Sequence, residues 1–356
     1  MLKSRIKGLR EILENNQAIL IMDDTNRFYF TGMRSSAGYL LVTKENAYLL
    51  IDFRYFEKAK NTVTNAEVLL CEKLYPQLLE LLYKEDISIV LTESRNITVA
   101  TLNNLNKNLI DIEVSASDEL SDKIMALRSI KTKSEIESIK KAQELTDKTF
   151  EYILNHIKAG VTEKEIMLDM EYFIRKNGSE GVSFDFIVVS GKNSSLPHGV
   201  PSDKIIENGD FVTMDFGAVV NGYHSDMTRT VAVGNITEKQ HLVYETVLKA
   251  QQKALDLIKP NVKCCSIDKI ARDFINKSGF EGCFGHGLGH SVGLEIHENP
   301  ACNTRDNTLL FSGMIMTVEP GIYIENEFGV RIEDMIVITD DGYENLTKSK
   351  KELIIL

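Results

Sequence analysis

Asp210-Phe-Val-Thr-Met-Asp215-Phe-Gly-Ala-Val-Val220-Asn-Gly222-Tyr-His-Ser-Asp226-Met-Thr-Arg-Thr-Val-Ala-Val233 reads as two strands joined by a two-residue turn. Asn-Gly is a strong short hairpin signal, because a type I′ turn needs positive φ at both central positions. With Asn221-Gly222 as the loop, 220 pairs with 223 and 215 with 228. Asp226 then lies diagonal to Asp215 on the same face, within ~7–8 Å, close enough for the side chains to converge. A one-residue slip would turn one carboxylate away. Two converging carboxylates repel unless a cation lies between them, so this hairpin predicts a metal.

Three further candidates lie downstream. Phe284-Gly-His286-Gly-Leu-Gly-His290-Ser-Val-Gly-Leu-Glu-Ile-His297 gathers three of the seven histidines, with four glycines that let backbone approach an ion or substrate. A lone loop histidine is more often structural, but His290 stands in this cluster. Glu319 precedes Pro320-Gly321, a rigid turn that ends the apolar run Met314–Val318. Glu333 interrupts the apolar run Gly329–Thr339, where an unpaired carboxylate is costly. Four carboxylates match the charge of two divalent ions, and paired ions activate water for hydrolysis. The imidazole moves the preference from magnesium or calcium toward manganese, cobalt, iron or zinc.

Composition sets the bounds. The 356 residues are 43% apolar and 26% charged, as in soluble globular proteins. A net charge of −11 disfavours nucleic acid and anionic membranes as partners. No apolar run approaches the ~20 residues that cross a bilayer, and the start carries no apolar signal core. Five cysteines without a Cys-x-x-Cys pair are expected to be reduced thiols in a cytoplasmic protein.

The chain changes character near 115–135, and we place two domains at 1–122 and 123–356. In the first, apolar runs at Ala18–Met22, Arg27–Phe30, Tyr39–Val42, Ala47–Ile51, Val68–Leu70 and Ile87–Leu91 predict strands. Helices are predicted at Lys3–Glu14, Tyr75–Tyr83 and Ala100–Leu105, giving a small α/β domain. Asp23-Asp24 and Asp52 are expected to cap elements. In the second domain, Ile136, Ile139, Ala142, Leu145 and Phe150 mark a long helix from Lys133, with Ser134 and Glu137 as its capping box. Thr162 and Glu165 cap the next, and further helices are predicted at Glu238–Ile258 and Ser266–Lys277.

The ordered set Asp215, Asp226, His290, Glu319, Glu333, with His-Gly-Leu-Gly-His, Val-Glu-Pro-Gly-Ile-Tyr and Val-Arg-Ile-Glu-Asp, resembles the pita-bread metallopeptidases. That family includes methionine aminopeptidase, aminopeptidase P and prolidase. Phe30-Thr-Gly and Ser35-Ser-Ala-Gly-Tyr-Leu-Leu-Val resemble the creatinase/prolidase N-terminal domain, which favours the proline-directed branch. The implied fold class is α+β, a pita-bread catalytic domain after a smaller α/β domain.

The resemblance implies two divalent ions per chain, Mn2+ with Co2+ or Zn2+ as alternatives. Asp215 binds one ion with both oxygens, Asp226 and Glu333 bridge, and His290 and Glu319 complete the other. Glu319 is also the general base, and His198 and His297 face the substrate. His286 lines the pocket, and Arg331 pairs with a ligand carboxylate. Arg305 matches the arginine that holds a dipeptide's free carboxylate. His156, His224 and His241 are expected to pack. The implied activity is Xaa-Pro dipeptidase, with aminopeptidase P on longer peptides and an inactive binding protein of the same fold as alternatives. A homodimer acting on small peptides with proline second is expected.

Overall fold

The computed structural model describes residues 2–356. Residues up to Arg128 form one compact unit and Ser129–Leu356 a second. The division falls a little beyond the position read from the sequence, because a helix runs through residue 122 to Ser129.

The first unit alternates as its apolar runs predict. Its elements are α1 (Leu2–Arg10), β1 (Gln17–Ile21), α2 (Asp24–Thr31), β2 (Tyr39–Val42), β3 (Ala47–Ile51), α3 (Phe53–Thr62), β4 (Glu67–Leu70), α4 (Leu74–Lys84), β5 (Ile89–Glu93), α5 (Val99–Asn108), β6 (Glu113–Ser117) and α6 (Asp118–Ser129). The strands form one mixed sheet in the order β4-β3-β2-β1-β5-β6. One expectation fails here. Arg27–Phe30 is helical, because Asp23 caps α2 by accepting from the Asn26 amide and Gly32 ends it at φ 73°. Arg27 is buried and donates to the carbonyls of Met22, Ser35 and Gly38, which fixes the helix against the following loop. Helix α3 and strand β6 are additional to the predicted elements, and each buries a single residue, Ala59 and Val114. Asp52 caps α3, as expected.

The second unit contains α7 (Lys133–Ile153), α8 (Glu163–Lys176), β7 (Ile187–Ser190), β8 (Phe211–Phe216), β9 (Val219–Val220), β10 (Tyr223–His224), β11 (Met227–Ala232), α9 (Glu238–Leu257), α10 (Cys264–Ile275), β12 (Gly289–Ser291), β13 (Glu298–Cys302), β14 (Ile315–Val318), β15 (Gly321–Ile324), β16 (Phe328–Arg331), β17 (Asp334–Ile338) and β18 (Tyr343–Asn345). The cap of α7 is Thr132 rather than Ser134. The Thr132 amide and hydroxyl both donate to Glu135 at 2.6 Å, two residues upstream of the expected pair. Thr162 and Glu165 cap α8 as predicted.

Two long hairpins organise this unit. The first pairs 220 with 223 and 215 with 228, and Asn221 (φ 50°) and Gly222 (φ 84°) form the turn. The second runs β14-β15 against β16-β17, pairing Val318 with Asp334 and Gly321 with Arg331. That register is unbroken across the gaps between the strands, so Glu319 stands directly opposite Glu333. Alternation sends one face of each hairpin to a helix pair. Val212, Met214 and Phe216 pack with α7 and α8 residues such as Ile153 and Ile166. Met316, Val318 and Ile336 pack with α9 and α10 residues such as Val247 and Ile267. The opposite faces carry Asp215, Asp226, Glu319 and Glu333.

Backbone approaches closely at two glycines near the carboxylates, Gly217 in the first hairpin and Gly289 on β12 beside β14 of the second. A Cβ on Gly217 would lie 1.9 Å from the Ser225 carbonyl oxygen, and one on Gly289 would lie 2.1 Å from that of Thr317. Gly217→Ala and Gly289→Ala are therefore expected to lower unfolding stability by ~1–3 kcal/mol or more. Denaturant titration measures this, and a change near zero would show that the backbone can move aside.

Candidate metal centre

The five candidate ligands converge, and four of them sit at the ends of strands or at a register shift. Asp226 lies between β10 and β11, Glu319 between β14 and β15, and Glu333 between β16 and β17. His290 is at a register shift between β12 and β13. The shift at His290 re-aims a side chain that regular pleating would turn elsewhere, whereas the carboxylates stand on the faces that the unbroken alternation of the hairpins gives them. Asp215 stays within β8, one residue from its end.

Two groups of ligand atoms share Asp226. Carboxylate oxygens of Asp215, Asp226 and Glu333 lie within 4.8 Å of one another. On the other side, His290 Nε2 is 3.5 Å from both Asp226 Oδ2 and Glu319 Oε1. His290 Nδ1 meets the Ser291 carbonyl at 3.1 Å, so the ring proton sits there and Nε2 offers a lone pair. Burial and then the His297 ring push the His290 pKa down to about 4, which keeps the imidazole neutral near pH 7.

The carboxylates are buried and mutually repulsive. Burial first, and then neighbouring Glu333, Asp215 and Glu319, raise the Asp226 pKa well above the usual range. Glu333 is raised in the same way by burial, then by Glu319 and Asp215. Burial pushes Glu319 up to about 8, against the opposing pull of Arg331. Asp215 Oδ1 and Glu333 Oε1 are buried without a hydrogen-bond partner. Orphaned acceptors, a lone pair and like charges aimed at shared points suit divalent cations. The donor set therefore fits metal.

A polar scaffold holds these groups. Arg331 donates from Nη2 to Asp215 Oδ2 at 2.7 Å, from Nε to Thr228 Oγ1 at 3.0 Å and from Nη1 to Tyr323 Oη at 2.8 Å. Thr228 in turn donates to Glu333 Oε2 at 2.8 Å. Because the arginine can only donate, the Tyr323 hydroxyl passes its own proton to His286 Nε2 at 2.9 Å. His286 Nδ1 then donates to the Gly287 carbonyl at 2.8 Å. Burial lowers the His286 pKa to about 4. Both its ring nitrogens thus serve the scaffold, and it presents only its ring to the pocket.

The other sequence candidates line the same cavity of about 1430 Å³, namely His198, His297, Arg305 and Arg331. His297 meets His290 edge to face, with ring centroids 4.5 Å apart. Arg305 is exposed, and its backbone amide is tied to Asn303 Oδ1. His156, His224 and His241 do not line the cavity, and His224 bonds Ser183 instead.

Sequence reasoning missed several supports. Thr228 was discoverable, since the hairpin register places it opposite Asp215. Glu163 carried no signal. Fully buried, it accepts from the Ser190 amide at 2.6 Å and the Ser202 hydroxyl at 2.7 Å, and so closes the loop that carries His198. Asp268 and Arg272 on α10 bond the Leu288 amide and the Phe284 and His286 carbonyls, fixing the glycine-rich loop.

A fold of this kind around a clustered acid–histidine centre defines a metallopeptidase. Residues 137–340 match the metallopeptidase family M24, and residues 5–130 match the creatinase/prolidase N-terminal domain. An Xaa-Pro dipeptidase of Pyrococcus furiosus is 39% identical over 99% of this chain and 100% of its own. A solved Xaa-Pro dipeptidase from Bacillus anthracis superposes with a TM-score of 0.96 at 41% identity, covering 100% of both chains. An X-Pro aminopeptidase from Thermotoga maritima superposes at 0.91 with 36% identity, over 98% of this chain and 99% of its own. The chain belongs to metallopeptidase family M24, whose members use divalent metals.

The raised Glu319 pKa has a measurable consequence. Between 4.5 and about 8 the folded, metal-free protein holds a proton there that the unfolded chain releases. Its stabilising contribution is present at low pH and lost as pH rises through this window. The metal-free melting temperature is expected to fall across that range, and the fall to disappear at saturating divalent metal, because bound metal displaces the proton and leaves Glu319 ionised in folded and unfolded chain alike. Calorimetry with and without chelator tests this, and a metal-free melting temperature that climbs toward pH 8 would contradict it.

Proposed function

We propose that the chain is a two-metal Xaa-Pro dipeptidase, a prolidase that cleaves the bond between a first residue and proline. The observation that carries this is the pair of ligand groups sharing Asp226, with orphaned oxygens on Asp215 and Glu333. It is joined by relatives of similar length named for that activity. Asp215, Asp226 and Glu333 would hold one ion, and His290 and Glu319 with Asp226 would hold the second. Mn2+ is the ion we favour, with Co2+ or Zn2+ as substitutes.

When bound, the metals supply Lewis acidity to the scissile carbonyl and to the attacking water. A proline amide has no N–H, so recognition must rest on groups other than that hydrogen. With metal bound, the Glu319 carboxylate would be held ionised by the cations and would be placed to take a proton from the attacking water. His198 and His297, on opposed loops, orient the carbonyl and the proline ring. His286 closes the pocket wall. Arg331 keeps Asp215 aligned, and the Arg305 guanidinium pairs with the free carboxylate of a dipeptide.

A second reading, aminopeptidase P action on longer peptides, is favoured by the Thermotoga maritima likeness and by a cavity of about 1430 Å³, larger than a dipeptide needs. We also assign a homodimer, and a cytoplasmic setting in keeping with five free cysteines.

Chelation is expected to abolish hydrolysis of Leu-Pro, and added Mn2+ to restore it. Glu319→Gln should retain the fold while turnover falls roughly 10²–10⁴-fold. Asp215→Asn should also inactivate. Wild-type turnover in either variant would remove these roles. Comparing catalytic efficiency on Leu-Pro with that on Leu-Pro-Pro decides substrate length. A preferred tripeptide, together with an Arg305→Ala variant unchanged on dipeptides, would select the aminopeptidase. Light scattering at micromolar concentration should give the mass of two chains, and a single-chain mass would refute the dimer.

A further inference from the structure

The loop joining β12 to β13 is fastened by a lysine that the site chemistry does not use. Lys131 precedes α7, and its side chain is 1% exposed. Its ammonium donates to Ser291 Oγ at 2.9 Å and to Glu298 Oε2 at 3.1 Å. Ser291 and Glu298 are cross-strand partners at the register shift. Each immediately follows a pocket histidine, His290 and His297, whose rings meet at 4.5 Å. One buried charge therefore grips the residues next to both.

The rest of the loop is built around this grip. Glu298 Oε1 accepts from the amides of Leu294 at 3.0 Å and Glu295 at 3.3 Å, closing the turn. A Cβ on Gly293 would lie 2.4 Å from the Glu298 carboxylate, so glycine there admits the carboxylate. The Lys131 amide donates to the Gly313 carbonyl at 2.9 Å, which anchors the other end of the clamp. An ammonium is a strongly hydrated point charge. Burying it with a carboxylate stabilises little relative to apolar residues of similar size. The pair's contribution is therefore geometric.

We propose that Lys131 is a positioning residue for the metal centre. Through Ser291 and Glu298 it sets the His290 and His297 rings relative to one another, and so ties a metal ligand to a substrate-facing group. This rests on the roles given above to His290 and His297, and metal affinity tests it without reference to substrate.

The variants are Lys131→Met, Glu298→Gln, the two combined, and Ser291→Ala. The measurements are Mn2+ titration, thermal unfolding, histidine-ring NMR of the metal-free protein, and kcat and KM on Leu-Pro. Each single change at Lys131 or Glu298 removes the opposite charge from a buried ionic group and should lower the melting temperature. The combined variant should recover most of that stability. Its Mn2+ affinity should nonetheless stay about 10–100-fold below wild type, as for lost outer-shell partners of a metal site. Its kcat should stay reduced and its two histidine signals displaced. Ser291→Ala, with the ion pair intact, should weaken Mn2+ severalfold at a near-native melting temperature, and it decides the matter if the others fail to fold. Wild-type Mn2+ affinity in the combined variant, or in Ser291→Ala, overturns the proposal. Tight Mn2+ binding by wild-type protein that cleaves no Xaa-Pro peptide would overturn the substrate reading alone, leaving the affinity comparison to judge Lys131.

Discussion

Four carboxylates share one buried space, and their repulsion is the constraint on which the rest of this unit depends. At an effective dielectric near 20, two unit charges 4 Å apart interact by about 4 kcal/mol, so several such contacts cannot persist unopposed. Within the chain the opposing charge is the Arg331 guanidinium, held at 2.7 Å from Asp215. It does not offset burial and repulsion together, and burial first, then the neighbouring carboxylates, leave Asp226 and Glu333 raised, while burial alone outweighs the Arg331 pull at Glu319. The hairpins can hold such groups together because their other faces are locked into two apolar clusters with four helices. Hydrophobic burial on one side stabilises an arrangement that electrostatics on the other side opposes.

Rigidity is distributed in two tiers. The carboxylates rise from hairpins whose positions are set by the ladders on either side of them. His198, His286 and His297 sit on loops, which lack ladders, and a buried charged or acceptor side chain substitutes for one at each loop. Glu163 closes the His198 loop, Asp268 and Arg272 fix the His286 segment, and Lys131 with Glu298 fixes the His297 segment. Groups that surround substrate are thereby held nearly as firmly as those suited to metal, without a sheet being extended into the pocket.

Much of the centre was legible because its information is local. Asn221-Gly222 dictates a turn, the turn dictates register, and register places Asp226 beside Asp215. The same rule gives Thr228, which stands opposite Asp215. Glu319 and Glu333 were recognisable singly, but their direct opposition depends on where the second hairpin turns, and no Asn-Gly marks that tip. The supports were illegible for a different reason. Glu163, Asp268 and Lys131 lie in ordinary helical or linker sequence, and their meaning comes from partners far away in the chain. Local signals also misled. Arg27–Phe30 has the aromatic character of a strand, yet the Asp23 cap, the Gly32 stop and the buried hydrogen bonds of Arg27 make it helical. Thr132 prevailed over Ser134 as the cap of α7, where both offered a hydroxyl with a glutamate three residues on.

The unbroken register of the hairpins also bears on the order in which the chain assembles. Asp215 with Asp226, and Glu319 with Glu333, each meet across a short loop, so each half-centre forms with little loss of loop entropy. Only when the two hairpins come face to face do all four charges confront one another. The electrostatic penalty therefore falls on a late, long-range step, after both helix-backed halves exist. An ion that arrives before that step removes the obstacle, so metal availability bears on how fast the catalytic unit matures as well as on how it works.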